Sequence, residues 1–408
     1  MNQPAVVIAG GGAAGFFAAI ACAESSPGAS IILLEKNPRF LSKVRISGGG
    51  RCNVTHACFE PRQLRDYYPR GGNELVGPFQ KFQPRDTIEW FQNRGVKLKT
   101  EQDGRIFPIT DSSQTVIDCL MHEAEQRGVQ LRPNSSLQSA VAHSQGGFHL
   151  TLGSGEHLHC QRLMLATGGC RAASAGQLAV SLGHMLESPV PSLFTFHTDI
   201  PWLRELAGIS IPKAELHYSA LGLRESGALL ITHSGLSGPA VLRLSAWGAR
   251  FMHRENYKFL IRLNWLPHLN ADQIAHAFEA CRVEQPARLI VNSPLQPLAG
   301  RLWSALVLAS GVPRETRWAQ LSRSARHLLI QQLARTEFQV IGKTLNQDEF
   351  VTCGGVRLNE VNFGTMESRR CPGLYFGGEL LNIDGLTGGF NFQSAWTTGW
   401  IAGKSMAG

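Results

Sequence analysis

The sequence predicts an α/β fold in which a parallel, helix-covered sheet is interrupted after about residue 190 by an inserted β-rich plus helical domain. Three observations carry that prediction. Apolar runs at 5–9, 30–34 and 162–166 are hydrophobic on both faces, as strands buried in a parallel sheet must be. An Ala-rich helical stretch joins the first two runs, giving the crossover that parallel neighbours need. The text then turns to alternating, Pro-punctuated segments near 190 and to helical periodicity near 271, and returns to Gly-rich strand text at 338. The expected division of the 408 residues is therefore 1–190, 191–262, 263–337 and 338–408. The first and last pieces form one domain.

The opening supplies the first chemistry. A strand at 5–9 runs into Gly10-Gly11-Gly12-Ala13-Ala14-Gly15, then a helix to about residue 23, then a strand at 30–34 that ends in Glu35. This is G-x-G-x-x-G in a βαβ frame with an acid following the second strand. The first glycine makes the tight turn, the second lets backbone approach a pyrophosphate, and the third lets the helix pack on the strand. The helix amides and dipole then face the phosphates. Glu35 can accept both hydroxyls of an adenosine ribose, and its charge repels a 2′-phosphate. The pattern thus favours the ADP half of FAD or NAD over NADP.

Helices are expected at 86–94 and 114–127 and strands at 129–131 and 148–152. The insertion contributes strands at 214–218 and 259–263, then helices at 271–281, 297–310 and 317–335. A last helix is expected over 391–404.

Further glycine turns decide between dinucleotides. Ser47-Gly48-Gly49-Gly50-Arg51-Cys52-Asn53 follows soon after Glu35, Thr167-Gly168-Gly169 ends a strand, and Gly377-Gly378-Glu379 ends another. Asp384-Gly385-Leu386-Thr387-Gly388-Gly389-Phe390-Asn391 then opens the last helix. An NAD dehydrogenase has no obvious use for these turns. An extended FAD has, because its ribityl chain and ring system also need close backbone. Glu379 can accept from ribityl hydroxyls, and a helix start at Gly388-Gly389 sets free amides beside the flavin N1/O2 edge, which gains negative charge on reduction.

These motifs, with Thr232-His233-Ser234-Gly235-Leu236-Ser237-Gly238-Pro239 and Gly354-Gly355-Val356, resemble those of the BaiN/RdsA (YhiN-like) bacterial flavoprotein family, some members of which are described as aminoacetone-oxidase-like. The resemblance covers essentially the whole chain. It implies a glutathione-reductase-type FAD-binding Rossmann domain in two parts, with the insertion covering a non-covalent FAD. The implied cofactor contacts are Gly10, Gly12, Ala13, Ala14, Gly15, Glu35, Lys36, Lys43, Ser47, Gly48, Gly49, Arg51, Cys52, Asn53, Leu137, Thr167, Gly168, Gly169, Gly378, Glu379, Asp384, Gly388, Gly389, Phe390 and Asn391. Two departures stand out: the 170–176 segment is shorter than in many members, and Asn382 replaces an Asp. Related fumarate-reductase-type flavoproteins attach FAD through a His before their second glycine loop. Residues 41–45 contain none, so the flavin should come off on denaturation. With one dinucleotide fingerprint, no dedicated second Rossmann module is expected, although NAD(P)H can still dock transiently over the flavin as electron donor.

Other patterns narrow the function. Hydrophobic residues at 43% and charged residues at 17% exclude disorder, and nine dispersed cysteines without C-x-x-C read as reduced thiols in a cytoplasmic protein. The apolar stretch 6–22 looks like a leader, but no basic residue precedes Lys36 and a Gly-Gly-Gly turn interrupts it, so secretion is not expected. No apolar run reaches ~18 residues, so no membrane span is expected. The 14 His and nine Cys form no metal set. Ser234 to Pro239 nearly reads G-x-S-x-G, but Pro239 fits the first position of a helix instead, capped by Ser237 or Gly238. Weak catalytic candidates are His233, as a carbonyl or anion contact, and Cys52, whose thiol pKa Arg51 beside it is expected to lower so that it acts as a proton donor. A small residue packed under the ribityl chain is the plainer reading of Cys52.

The expected function is an FAD-dependent oxidoreductase moving hydride between a small-molecule substrate and flavin N5. Uridine reduction in rRNA, oxidation of aminoacetone-like amines, and flavin-holding RNA binding without turnover stand as alternatives. The formal charge is +8, and residues 301–335 carry six Arg against Glu315. That stretch is either a solvated helical face or a surface for RNA.

Overall fold

The computed structural model describes residues 5–170, 173–344 and 351–408. The chain forms two compact units, residues 1–192 with 347–408, and residues 193–346.

The first unit is built on a seven-stranded sheet. Five of its strands, Leu374–Phe376, Arg162–Leu165, Val6–Ala9, Ile31–Leu34 and Gln130–Arg132, lie side by side in that order and run parallel, the last at one edge. The short antiparallel strands Val361–Asn362 and Glu367–Ser368 finish the other edge. Val6–Ala9 and Ile31–Leu34 are buried throughout, which is why both read as unbroken apolar runs. Helix Ala13–Ser25 follows the first strand and packs against the last helix, Phe390–Ala407. Their approach depends on small residues. A Cβ on Gly399 would stand 2.3 Å from the Ala14 carbonyl oxygen, and one on Gly403 2.3 Å from that of Ala18. Smaller antiparallel sheets surround this frame: Thr55–His56 with Leu98–Thr100 and Arg105–Pro108, and Leu137–Ala142 with Phe148–Leu152 and His157–Cys160.

The second unit contains a closed antiparallel barrel of Thr195–Thr198, Gly235–Ser237, Leu223–Thr232, Ser210–Tyr218, Phe259–Asn264 and Thr336–Thr344. Helices Pro239–Arg254, Ala271–Glu284, Gly300–Ala309 and Arg323–Arg335 accompany it. Trp265, Trp303, Phe338 and their neighbours fill its core.

Three expectations are corrected here. The return to the first unit at 338 falls inside the strand Thr336–Thr344, which closes the barrel between Phe259–Asn264 and Thr195–Thr198. Strand-like text cannot say which sheet it joins. Nor is 317–335 one helix: Trp318–Gln320 is a short 3₁₀ turn, and Ser322 then caps Arg323–Arg335 by accepting from the Ala325 amide at 3.1 Å. Residues 263–337 also carry the end of one barrel strand and the start of another. Pro239 does open a helix, with Gly238 before it.

Candidate flavin site

The first glycine turn has a division of labour. Gly10, at φ +116°, lies so close to the next strand that a Cβ would sit 2.2 Å from the Ala166 carbonyl oxygen. A Cβ on Gly15 would sit 2.0 Å from the Gly10 oxygen. Gly12 differs: a Cβ there would meet no atom within 4 Å. Packing therefore explains Gly10 and Gly15, while Gly12 keeps open the face above the N-terminus of helix Ala13–Ser25. No side chain caps that helix, so its first amides point at the open face.

Glu35 closes the other side. One carboxylate oxygen accepts from the Gly11 amide at 2.9 Å, and the other from the backbone and side-chain nitrogens of Asn37 at 2.9 and 2.8 Å. The carboxylate is half-buried and held in place by three donors, with about one lone-pair site left for a hydroxyl. Backbone bonds from the Glu35 amide to Arg132 and from the Ser135 amide to Glu35 bring 132–135 alongside, with Leu137 two residues beyond. Lys36 is exposed at the same rim.

The second turn is wound left-handed through Gly48, Gly49 and Gly50, at φ +58°, +69° and +84°. Cβ atoms on Gly49 and Gly50 would again meet nothing within 4 Å. The Cys52 amide closes the turn on the Ser47 oxygen at 3.0 Å. Asn53, oriented by its neighbours, accepts from the Gly389 amide and donates to the Thr55 carbonyl, both at 3.0 Å. This ties the second turn to the last one.

Thr167-Gly168-Gly169 lies at the end of the Arg162–Leu165 strand. The Thr167 hydroxyl is buried and has no hydrogen-bond partner among the described residues. A buried donor left this way costs about 1–3 kcal/mol, which a ligand at the turn would recover. Gly168, at φ +81°, has open space where a Cβ would be. Gly378 lies against Ala14, and its amide donates to the Thr398 hydroxyl at 2.9 Å. Glu379 is paired with Lys43 and accepts from the Thr352 amide at 3.4 Å. Helix Phe390–Ala407 starts at Gly389, at φ +95°, with no capping side chain. A Cβ on Gly389 would strike the Thr55 backbone at 2.6 Å. These open faces, uncapped helix ends and the orphaned hydroxyl fit an extended FAD.

Several expected contacts are otherwise engaged. Asp384 is fully buried, clasped by the Arg70 guanidinium and the Ser192 hydroxyl, so its carboxylate faces no open surface. Asn391 is half-buried, but its side chain exchanges 2.8 Å hydrogen bonds with the Gly385 backbone, leaving its own amide at the helix start. Phe390 is buried and stacks on Tyr67 at 4.3 Å and on His56 at 4.7 Å between ring centroids. Arg51 pairs with Glu101 at 2.7 Å and lies over the Phe107 ring at 4.0 Å. The lowered Cys52 thiol is overturned: the side chain is wholly buried, and burial pushes its pKa up to about 12. His233 is exposed in the turn between two barrel strands of the second unit. Of the 170–176 segment, residues 171 and 172 lie outside the described residues.

Sequence reasoning missed His56. Its Nε2 is 3.0 Å from the Asp103 carbonyl oxygen, its Nδ1 is buried without a partner among the described residues, and it lies against Gly388. Burial lowers its pKa. The signal was its place three residues past Asn53, on the strand that leaves the second glycine turn.

Rossmann topology, the pyrophosphate turn and the later glycine turns define an FAD-dependent oxidoreductase. The chain belongs to the HI0933-like family: the HI0933-like protein Rossmann domain model matches residues 4–405. It is 30% identical to the ribosomal RNA dihydrouridine synthase of Escherichia coli, over all of this chain and 98% of that one. Identity is 29% with the 3-dehydro-bile acid delta(4,6)-reductase of Clostridium scindens, over 100% of this chain and 99% of that one. Among solved structures, a 3-ketosteroid-delta4-(5alpha)-dehydrogenase from Rhodococcus jostii shares the fold at a TM-score of 0.53 and 14% identity, covering 100% of this chain and 97% of that chain. No described helix is long and apolar enough to cross a membrane.

Proposed function

We propose that the protein is a reductase of carbon–carbon double bonds conjugated to a carbonyl. The observation that supports a redox flavin is the start of helix Phe390–Ala407, while the reductive direction rests on the names of the two relatives. The helix's uncapped first turn leaves amides and the positive dipole end for a group that gains negative charge. The acceptor class is supported by what the two relatives' names have in common. A dihydrouridine is a uridine whose ring double bond, conjugated to a carbonyl, has been saturated, and a delta(4,6)-reductase of a 3-dehydro-bile acid acts on unsaturation conjugated to a ketone. Such a bond takes a hydride at one carbon and a proton at the other.

In this reading Gly10 and Gly15 shape the first turn, and Gly12 with the amides of Ala13 and Ala14 holds the pyrophosphate. Glu35 accepts from the adenosine ribose, with Lys36 and Leu137 beside it. Lys43, Ser47, Gly48, Gly49, Asn53, Thr167, Gly168, Gly169, Gly378 and Glu379 frame the ribityl chain, and Thr167 gives its unused hydroxyl. Gly388, Gly389 and the amides of Phe390 and Asn391 meet the pyrimidine edge. FAD supplies the hydride at N5, and NADH or NADPH, docking transiently, is the proposed electron donor.

A second reading, uridine within RNA as substrate, is favoured by the six arginines of 301–335 and by two relatives named ribosomal RNA dihydrouridine synthase. Anaerobic mixing tests both. The proposal expects NADH or NADPH to bleach the flavin, and a conjugated enone or a uridine-containing RNA to restore its colour while gaining two hydrogens. Direct bleaching by an amine, with peroxide released in air, would overturn it in favour of an amine oxidase. RNA that binds and never reoxidises the flavin would leave a binding protein without turnover.

A further inference from the structure

The second unit holds a hollow that the flavin chemistry does not use. Helices Ala271–Glu284 and Arg323–Arg335 and the turn Trp318–Gln320 line an open hollow of about 270 Å³. Phe278, Trp318 and Leu321 give it apolar surface, and Arg282, Arg323 and Arg326 give it charge. Glu279 is its one acid, 3.6 Å from Arg326 and half exposed. Three guanidiniums against one carboxylate leave an excess of two positive charges.

Some arginines of this unit are matched by acids, and others, such as Arg288 and Arg301, donate to backbone carbonyls. Arg204 pairs with Asp199, Arg243 with Glu225 and Arg262 with Glu337, at 2.6 to 3.0 Å. Among the described residues, Arg282 and Arg323 form no ion pair. Trp318 is fully buried, yet its indole N–H has no acceptor among the described residues. Buried indole donors ordinarily find a partner. An anion with several acceptor oxygens would serve the guanidiniums together, since arginine forks match phosphate oxygens. Cavities that take whole drug-sized ligands run to about 300–1,000 Å³, so this one suits a single phosphate with its sugar better than a dinucleotide.

We propose that this hollow is a phosphate-binding subsite, and that the phosphate it takes is one of an RNA backbone. For the source of the phosphate, though not for the subsite itself, the proposal rests on the RNA reading above. Arg314 and Arg317, exposed on the segment leading to Trp318, extend the positive surface along the path of such a strand.

The test uses the FAD-loaded full chain and the double variant Arg282→Gln/Arg323→Gln, with flavin content and circular dichroism as folding controls. A labelled single-stranded RNA is titrated at several salt concentrations, and inorganic phosphate is titrated separately while thermal stability is followed. Wild type should bind RNA with a log–log salt slope steeper by about 0.7 for each phosphate contact the variant has lost. Phosphate should raise its melting temperature saturably and the variant's hardly at all. Should both proteins bind RNA with the same affinity and slope, and ignore phosphate alike, the subsite falls while the RNA reading stands. Phosphate binding lost in the variant, with no RNA binding by wild type, would support the subsite, overturn RNA as its source and count against the RNA reading.

Discussion

Gly12 and Gly15 are chemically identical, three positions apart, and serve different ends. Alanine at 15 would drive a methyl into the Gly10 carbonyl, with only backbone to give way. Alanine at 12 would meet no protein atom, and its cost to the fold is that of a poorer helix cap, at most about 1 kcal/mol. Gly12→Ala should therefore fold and melt nearly as wild type when flavin-free, yet lose at least tenfold in FAD affinity. Gly15→Ala should lose both, which melting curves and flavin titration can separate. The open backbone at Gly12 was legible in the sequence because a glycine turn in a βαβ setting calls for close approach there. The fates of Asp384 and Cys52 were not, because burial and partners such as Arg70 and Ser192 come from distant parts of the chain. His184 is a further residue that no local pattern marks. It is fully buried, with Nδ1 2.9 Å from Glu360 and Nε2 2.9 Å from the Ser368 hydroxyl. Burial lowers its pKa below the ordinary 6.5 despite the opposing pull of Glu360. The unfolded chain then binds the proton more readily. Stability should be full above about pH 6.5 and fall as the pH drops through the folded-state value. A His184→Gln variant should flatten that part of the melting-temperature profile, whereas an unchanged slope would clear His184 of the role.

Among elements, the pair Ala13–Ser25 and Phe390–Ala407 matters most, since each presents an uncapped helix start at a glycine turn of the proposed flavin site. Glycine inside a helix ordinarily costs up to about 1 kcal/mol against alanine, so Gly→Ala should stabilise where there is room. Gly77, in helix Gly72–Lys81, has nothing within 4 Å of a Cβ, and Gly77→Ala should raise stability by about 0.5–1 kcal/mol. Gly399 has the Ala14 backbone at 2.3 Å, and forcing the helices apart should cost about 1–3 kcal/mol, more than propensity returns. Gly399→Ala should thus destabilise, and weaken FAD binding as the first turn shifts. Equal effects at 77 and 399 in chemical denaturation would contradict this packing. The central strands and both helices were readable because parallel strands carry apolar residues on each face and long helices repeat. Barrel strands were harder. Leu223–Thr232 alternates poorly, Ser210–Tyr218 shifts register against it, and Thr336–Thr344 is defined by its partners.

For the molecule as a whole, the sequence announced a split α/β domain and an insertion, and the chain forms two compact units with the second inserted in the first. What local text withheld was closure: six short strands make a barrel only when the first and last pair, as Thr195–Thr198 and Thr336–Thr344 do. The proposed flavin contacts lie in the first unit, between Gly10 and Asn391, and one determination tests them most directly. The purified protein is denatured by heat, and the released flavin is identified and counted by chromatography. The account predicts one FAD per chain, all of it in the supernatant, and recovery of the yellow colour when the apoprotein, but not Gly12→Ala, is given FAD. Apoprotein that stays colourless with excess FAD, or a flavin that remains bonded to the polypeptide, would contradict it.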